Sequence, residues 1–190
     1  MRMSWIIRFS LSVFAIALLV QPVARAQISA SATYTPQQLG PNLWRYSLTL
    51  NNNGSTNIGT LWFGWIVYPP IYDLLPNVPT NVQAPSGWSG AGLNDSIYGG
   101  YSVEWTTAGS PLAAHSSLSG FSFDSPDPPS LMTSTSPVFP IVRSDTSWVY
   151  IGASQGDPGF QFTPVQNLPE PASAALLALP TLALLRRRRR

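Results

Sequence analysis

Apolar and polar residues alternate strictly along several short segments in the middle of this chain. In residues 42–51 (NLWRYSLTLN), every second position is apolar: Trp44, Tyr46, Leu48 and Leu50. Successive side chains of a β-strand point to opposite faces, so this period of two places the four apolar residues on one face. No window of ten or more residues in the middle shows the three-to-four spacing of an amphipathic helix. The pattern therefore predicts an all-β domain.

Runs rich in aromatic and β-branched residues recur between turns rich in Gly, Pro, Ser and Asn. The candidate strands lie near residue 32 and at residues 42–51, 58–68, 101–107, 118–124, 147–152 and 160–162. Short strands at near-regular spacing favour an antiparallel β-sandwich, here of about seven or eight strands within residues 27–166. The residues predicted to form its core are Trp44, Tyr46, Leu48, Leu50, Val103, Trp105, Phe121 and Phe123. Residues 125–137 are too rich in proline for a central strand and are predicted to form a long loop.

The charge of the chain is divided between its ends and its middle. The chain has ten arginines and no lysine, and only Arg45 and Arg143 lie between residues 27 and 168. Seven carboxylates lie in the same range against these two arginines, so the middle has a net charge of −5. Without a basic patch to displace counterions from phosphates, binding to nucleic acid is not expected. The chain has no cysteine, which excludes disulfides, thiolate metal sites and cysteine nucleophiles.

The first 26 residues have the three parts of a secretory signal peptide. Arg2 and Arg8 begin the segment, an apolar stretch follows at residues 9–20, and Ala24 and Ala26 provide small residues at a cleavage site. We predict cleavage by signal peptidase after Ala26. The alternative is an uncleaved anchor, but about 12 apolar residues reach only about 18 Å as a helix, and a bilayer core is roughly 30 Å thick.

The other end of the chain has the composition of a membrane segment. Residues 172–185 contain no charge and reach about 21 Å as a helix, which is marginal for spanning a bilayer. They are followed by a block of basic residues: Arg186, Arg187, Arg188, Arg189 and Arg190. Basic residues next to an apolar segment stop transfer and stay on the cytoplasmic side. The sequence therefore predicts an exported protein that is held in the membrane by its tail as a transmembrane helix.

Three features follow one another at this end: the motif Pro169-Glu170-Pro171, the apolar segment and the terminal arginines. Together, at residues 167–190, they resemble the PEP-CTERM sorting signal of bacterial exported proteins. The resemblance implies that an exosortase, a membrane-embedded cysteine protease, recognises Pro169, Glu170 and Pro171 and cleaves the chain near them. It also implies transient anchoring, then a location at the cell surface or in an exopolysaccharide or biofilm matrix. A permanent tail anchor is the alternative, but it gives no reason for the Pro-Glu-Pro motif.

The chain has few candidate catalytic side chains. The single histidine, His115, cannot build a multi-histidine metal site and is predicted to be an exposed loop residue. Residues 152–156 match the G-x-S-x-G pattern, but a turn follows where the nucleophile elbow requires a helix. Glu104 is predicted to point from a strand into solvent, and Asp124 and Asp127 to lie in a solvated turn rather than bind calcium. The sequence therefore predicts no catalytic residue, no metal site and no cofactor.

Tryptophans are the remaining candidates for a binding function. Trp88 lies in a glycine-rich segment (PSGWSGAG), where an exposed ring could stack on a sugar, but the favoured interpretation is a tryptophan that closes the end of the sandwich. Trp62 and Trp65 are three positions apart, so counting along a strand predicts that they face opposite sides of the sheet, where a sheet packed on both faces would still bury both.

Three functions are compatible with these observations. The first is a non-enzymatic exported protein that acts in or on the extracellular matrix. The second is a carbohydrate-binding β-sandwich module, which is compatible with the first and would use extracellular polysaccharide as its partner. The third is a secreted hydrolase that depends on Glu104, Ser154 or His115.

Overall fold

The computed structural model of the protein describes residues 27–68, 70–94, 98–152 and 155–167. Within these ranges the chain forms twelve β-strands and one short helix. The strands are β1 (Ala30–Gly40), β2 (Leu43–Asn52), β3 (Thr60–Phe63), β4 (Trp65–Ile66), β5 (Tyr72–Asp73), β6 (Thr80–Gln83), β7 (Trp88–Asn94), β8 (Tyr101–Thr107), β9 (Ser117–Ser125), β10 (Ser147–Tyr150), β11 (Gly159–Phe162) and β12 (Val165–Gln166), and the helix is α1 (Pro129–Met132). In the same ranges, no helix is long and apolar enough to cross a membrane.

Several predicted features lie outside the described residues. They are the signal peptide with Ala24 and Ala26, the motif Pro169-Glu170-Pro171, and the apolar segment with its five terminal arginines. These features remain predictions.

The strands form two five-stranded sheets and a small two-stranded ribbon. The first sheet has the strand order β12-β1-β2-β9-β6, the second has the order β11-β10-β3-β8-β7, and β4 pairs with β5. Apolar side chains of both sheets meet in one buried cluster, which gives the sandwich-like arrangement that the alternation predicted.

Two details of the predicted fold are wrong. The described part of the chain has twelve strands rather than seven or eight, and β12 runs parallel to β1 while the other named pairs are antiparallel. Five strands are additional. Gly64 separates β4 from β3 within the predicted strand 58–68, and β6 and the glycine-rich β7 were not predicted because they lack an apolar alternation. The other two, β5 and β12, have two residues each. Two residues are too few to show a period, so sequence alternation cannot detect such strands.

The core confirms most of the predicted buried residues. Seven of the eight are nearly inaccessible to solvent, namely Tyr46, Leu48, Leu50, Val103, Trp105, Phe121 and Phe123. The eighth, Trp44, is partly buried and packs against the edge of the cluster. It lies near the start of β2, beside the β1–β2 turn, where the first sheet extends past the centre of the core.

The segment between β3 and β4 overturns the predicted placement of two tryptophans. Trp62 and Trp65 are both buried, and their ring centroids are 4.5 Å apart. Gly64 lies between them with φ +70°, a left-handed conformation that interrupts the strand. Counting positions by twos fails across such an interruption, so both rings lie on the same side.

The two aspartates predicted to lie in a solvated turn are buried instead. Asp124 accepts two hydrogen bonds from Arg45, at 2.8 Å and 2.9 Å, and these bonds hold the pKa of Asp124 below its usual range. Asp127 accepts a bond of 2.6 Å from Asn77, and burial raises its pKa. Buried carboxylates need such partners, because an unpaired one is costly. Residues 125–137 also contain the short helix α1, which the prediction of a long loop did not include.

The final described strand is held to the edge of the first sheet. Val165 and Gln166 pair with Thr33 and Tyr34 of β1, and the next backbone N–H, that of Asn167, donates to the Tyr34 carbonyl at 2.7 Å. The chain is therefore fixed to the sandwich up to residue 167.

Candidate functional site

The outward face of the second sheet carries a second cluster of aromatic side chains. A cross-strand row places Trp148 of β10 beside Trp62 of β3, and Trp62 beside Glu104 of β8. Trp62, Trp65 and Tyr150 are buried in this cluster, and Leu93 and Trp148 pack against it. The second sheet is therefore packed with apolar side chains on both faces, and the outer cluster is itself largely shielded from solvent.

A cavity of about 460 Å³ opens beside this cluster. We call it the aromatic pocket, and it is lined by Trp62, Trp65, Pro70, Ile71, Asp73, Leu93, Asn94, Tyr98 and Gln155. Ile71 and Tyr98, which are 41% and 42% exposed, supply the accessible apolar wall, and the nearly buried rings of Trp62 and Trp65 lie behind it. A carboxylate and two amides supply hydrogen-bonding groups. A mostly apolar hollow with a few polar groups is the usual form of a small-molecule site, whose volumes run from roughly 300 to 1,000 Å³.

A line of aromatic rings continues from the pocket onto the surface. We call it the aromatic row. Tyr98 lies 4.6 Å from Tyr72, Tyr72 stacks at 4.0 Å on Phe139, and Phe139 lies 5.3 Å from Tyr68 (centroid distances). The two ends of the row, Tyr98 and Tyr68, are 42% and 47% exposed. The row therefore offers aromatic surface to a ligand longer than the pocket itself.

The electrostatic character of the site is acidic to neutral. Burial raises the pKa of Glu104. The neighbouring Trp62 indole N–H opposes that rise, although it does not reach full hydrogen-bond geometry. Asp73 lies in the wall of the pocket. The described residues include two arginines, Arg45 and Arg143, and each is bound to an aspartate elsewhere in the sandwich. Among the described residues, the site therefore has no unengaged arginine to pair with an anionic ligand.

Trp88, the candidate sugar-stacking residue, lies in the core, as the favoured interpretation of its segment predicted. Its side chain is 9% exposed and meets Phe121 edge-on, with the ring centroids 5.3 Å apart. Trp88 begins β7, and that strand directs the ring inward against the main cluster. The interpretation of Trp88 as an exposed stacking platform is therefore wrong, and that of a core residue agrees with the structure.

The residues weighed for catalysis do not come together. His115 is exposed, has φ +56° and lines a separate polar pocket of about 410 Å³ with Ser31, Asn51, Asn52, Asn53, Ser116 and Ser117. Glu104 points outward from the second sheet as predicted, but it is half-buried rather than fully solvated. Ser154 lies outside the described residues. Among the residues that are described, no group of three or more His, Asp or Glu side chains is placed to hold a metal ion.

Sequence reasoning missed most of the residues that line the aromatic pocket. Asp73, the pair Asn94 and Tyr98, and Gln155 come from three segments that are distant along the chain. The one signal available was Tyr98 beside Gly99 and Gly100, because a large ring next to glycines marks a tight turn that can present it to solvent.

Comparisons with known proteins do not assign the chain to a family. No family model matches it, and no curated protein sequence matches it. Among solved structures, it resembles a GH20 exo-β-N-acetylglucosaminidase from Vibrio harveyi, in complex with N-acetylglucosamine, at 13% identity and a TM-score of 0.40 over 73% of this chain. It also resembles a CBM3 protein of Hungateiclostridium clariflavum at 9% identity and a TM-score of 0.40, over 74% of this chain and 100% of that one. The match spans 18% of the Vibrio enzyme.

Proposed function

We propose that this protein is a non-enzymatic, exported carbohydrate-binding protein that holds a polysaccharide at the cell surface or in the extracellular matrix. The aromatic pocket is the observation that carries the proposal. It combines the exposed ring of Tyr98, backed by the nearly buried Trp62 and Trp65, with the polar side chains of Asp73, Asn94 and Gln155. Exosortase and signal peptidase are the proposed processing partners, on the basis of the predicted end segments alone.

The chemistry of a sugar fits this combination of side chains. A pyranose ring has apolar C–H faces that pack on aromatic rings, and hydroxyl groups around its edge that need donors and acceptors. The exposed ring of Tyr98 lies at the mouth of the pocket, where the aromatic row begins. A polysaccharide could therefore place one sugar in the pocket and the next ones along the row.

The charge of the site selects among polysaccharides. Asp73 lines the pocket and Glu104 lies beside Trp62, while both described arginines are engaged elsewhere. A uronic-acid polymer would bring carboxylates next to these carboxylates without a cation to compensate them, which costs binding energy. The proposed ligand is accordingly a neutral or amine-bearing polysaccharide.

Binding can be tested on the processed protein by affinity electrophoresis in gels that contain the host's own extracellular polysaccharide. We expect Asn94→Ala and Tyr98→Ala each to weaken binding about tenfold, which corresponds to about 1.4 kcal/mol. Tyr98→Phe should retain most of the affinity, because the ring remains. The matched control is Asn53→Ala, which removes an exposed amide from the polar pocket of the first sheet.

Two results would count against this proposal. One is unretarded migration of the unaltered protein in neutral and amino-sugar polymers alike. The other is an equal loss of affinity in Asn53→Ala and Asn94→Ala, which would place the binding surface elsewhere.

Processing is tested separately by the mass of the protein recovered from its own host, with and without the exosortase. We expect the mature protein to lack residues 1–26 in both strains, and to lack the segment after the Pro-Glu-Pro motif only when the exosortase is present. A mass that retains the five terminal arginines in both strains would leave a permanent tail anchor.

A further inference from the structure

The way β12 is attached limits how far the sandwich can lie from a membrane that holds the tail. Asn167 is fixed to β1 by its bond to Tyr34, and the apolar segment begins only five residues later, at Ala172. An extended chain covers at most about 3.3–3.6 Å per residue, so Ala172 lies within about 18 Å of Asn167. The domain must therefore stay close to the bilayer while the tail is inserted.

The direction of β12 indicates which end of the sandwich faces the bilayer. Because β12 is parallel to β1, the chain leaves toward the end of the sheet where β1 turns into β2. From Tyr34, which pairs with Gln166, β1 continues for six residues to Gly40. At about 3.3 Å per residue this projection is about 20 Å, as far as the five residues before the apolar segment can reach. The β1–β2 turn therefore arrives at the membrane surface together with the tail.

The composition of this end suits an interface with lipid. No charged residue occurs between positions 30 and 44, and Leu39 and Leu43 on either side of the turn are 41% and 38% exposed. Trp44 follows; its ring packs partly against the core and is partly exposed at this end, and tryptophan is favoured at the level of lipid headgroups. The loop before β6 contributes Val78, which is 52% exposed at the same end of the sheet. The first charge reached along β2, Arg45, is neutralised by Asp124.

We propose that the β1–β2 turn, with Leu39 and Leu43, is a membrane-contacting surface that rests in the lipid interface while the tail anchors the protein. The inference depends on the proposed insertion of the tail. It fixes the orientation of the anchored protein, with the strands of the first sheet steeply inclined to the membrane.

The absence of cysteine allows single fluorescent labels in the full chain after signal removal. An environment-sensitive dye on Leu39→Cys is compared with the same dye on Asn57→Cys, an exposed residue in the turn after β2 at the opposite end. A dye on Ala178→Cys reports insertion of the tail. The protein is reconstituted in vesicles of phosphatidylethanolamine and phosphatidylglycerol that contain doxyl-labelled lipid as the quencher.

We expect lipid quenching at least threefold stronger at Leu39→Cys than at Asn57→Cys, with strong quenching at Ala178→Cys. Quenching at Ala178→Cys combined with equal, weak quenching at Leu39→Cys and Asn57→Cys would overturn the inference alone. Absence of quenching at Ala178→Cys would instead overturn the membrane insertion on which it depends. Stronger quenching at Val165→Cys than at Leu39→Cys would overturn the proposed contact of the β1–β2 turn, since the edge of the sheet rather than the turn would then face the lipid.

A spacer provides the second test. Ten Gly/Ser residues inserted after Asn167 lengthen the reach of the tail without altering the sandwich. If the short tether holds the turn in the interface, the spacer should reduce quenching at Leu39→Cys by half or more and leave quenching at Ala178→Cys unchanged. Unchanged quenching at Leu39→Cys would show that the tether does not set the orientation and would overturn that part of the argument.

Discussion

Replacement of Arg143 by alanine is expected to lower the free energy of unfolding by about 3–5 kcal/mol. Its guanidinium donates to both carboxylate oxygens of Asp145, at 2.9 Å and 2.6 Å. Asp145 is fully buried, and its other partner is the Tyr34 hydroxyl, which donates at 3.1 Å. Burial already raises the pKa of Asp145 although Arg143 acts in the opposite direction. Without Arg143 the carboxylate would be buried with one neutral donor, which is the costly case.

The matched control is Arg45→Ala, which removes the other arginine–aspartate pair. Arg45 binds both oxygens of Asp124 in the same manner, but the Asp124 side chain is 8% exposed against 0% for Asp145, and it also accepts a hydrogen bond of 2.9 Å from the Asn81 amide. Because Asp124 keeps this partner and some contact with water, a smaller loss of about 1 kcal/mol is expected. Urea denaturation of both variants should therefore show a much larger shift for Arg143→Ala. Adding Asp145→Asn to Arg143→Ala should restore part of the lost free energy of unfolding, because the buried carboxylate is then removed. Equal losses in Arg143→Ala and Arg45→Ala would contradict the argument from burial.

Alternation in the sequence predicted the long strands because one face of each is buried. β2, β8 and β9 have clear periods of two, and their inward residues form the main cluster, including Tyr46, Trp105 and Phe121. Such strands need no information from other parts of the chain. The class of the fold and most of its core could thus be predicted from local pattern alone.

The errors arose where the backbone departs from a regular strand. Gly64 interrupts the run from Thr60 to Ile66, and this single change of direction brings Trp62 and Trp65 together. The candidate site depends on that event. A glycine in a strand suggests a kink, but the residues around it do not predict which side of the sheet the next side chain will face.

The pocket was unpredictable for a second reason. Asp73 of β5, Asn94 at the end of β7 and Gln155 in the β10–β11 turn are distant in sequence, and the fold alone brings them together. Trp88, in contrast, has a conspicuous glycine-rich setting and is nevertheless core. Local composition is a weak guide to a binding site that is assembled from several segments.

Phe123→Ala is the second large prediction, with an expected loss of about 3–5 kcal/mol in the free energy of unfolding. Phe123 is fully buried. It stacks on Tyr46 at 5.1 Å within the first sheet and lies 5.2 Å from Phe63 and 6.3 Å from Trp105 of the second (centroid distances). Alanine would leave a cavity between the sheets that their backbones cannot close. The melting temperature should fall by roughly 10–15 °C for a domain of this size.

The control Phe162→Ala removes the same side chain from the partly buried end of β11, and a loss of about 1–2 kcal/mol is expected because less surface leaves contact. The comparison also tests cooperativity. Phe123 belongs to the first sheet but touches rings of the second. Its removal should therefore shift the unfolding midpoint by the same amount whether unfolding is followed by tryptophan fluorescence or by far-ultraviolet circular dichroism. The fluorescence reports mainly on the second sheet. Separate transitions by the two probes would mean that the sheets unfold independently. Equal destabilisation by Phe123→Ala and Phe162→Ala would mean that the contact between the sheets is not the main source of stability.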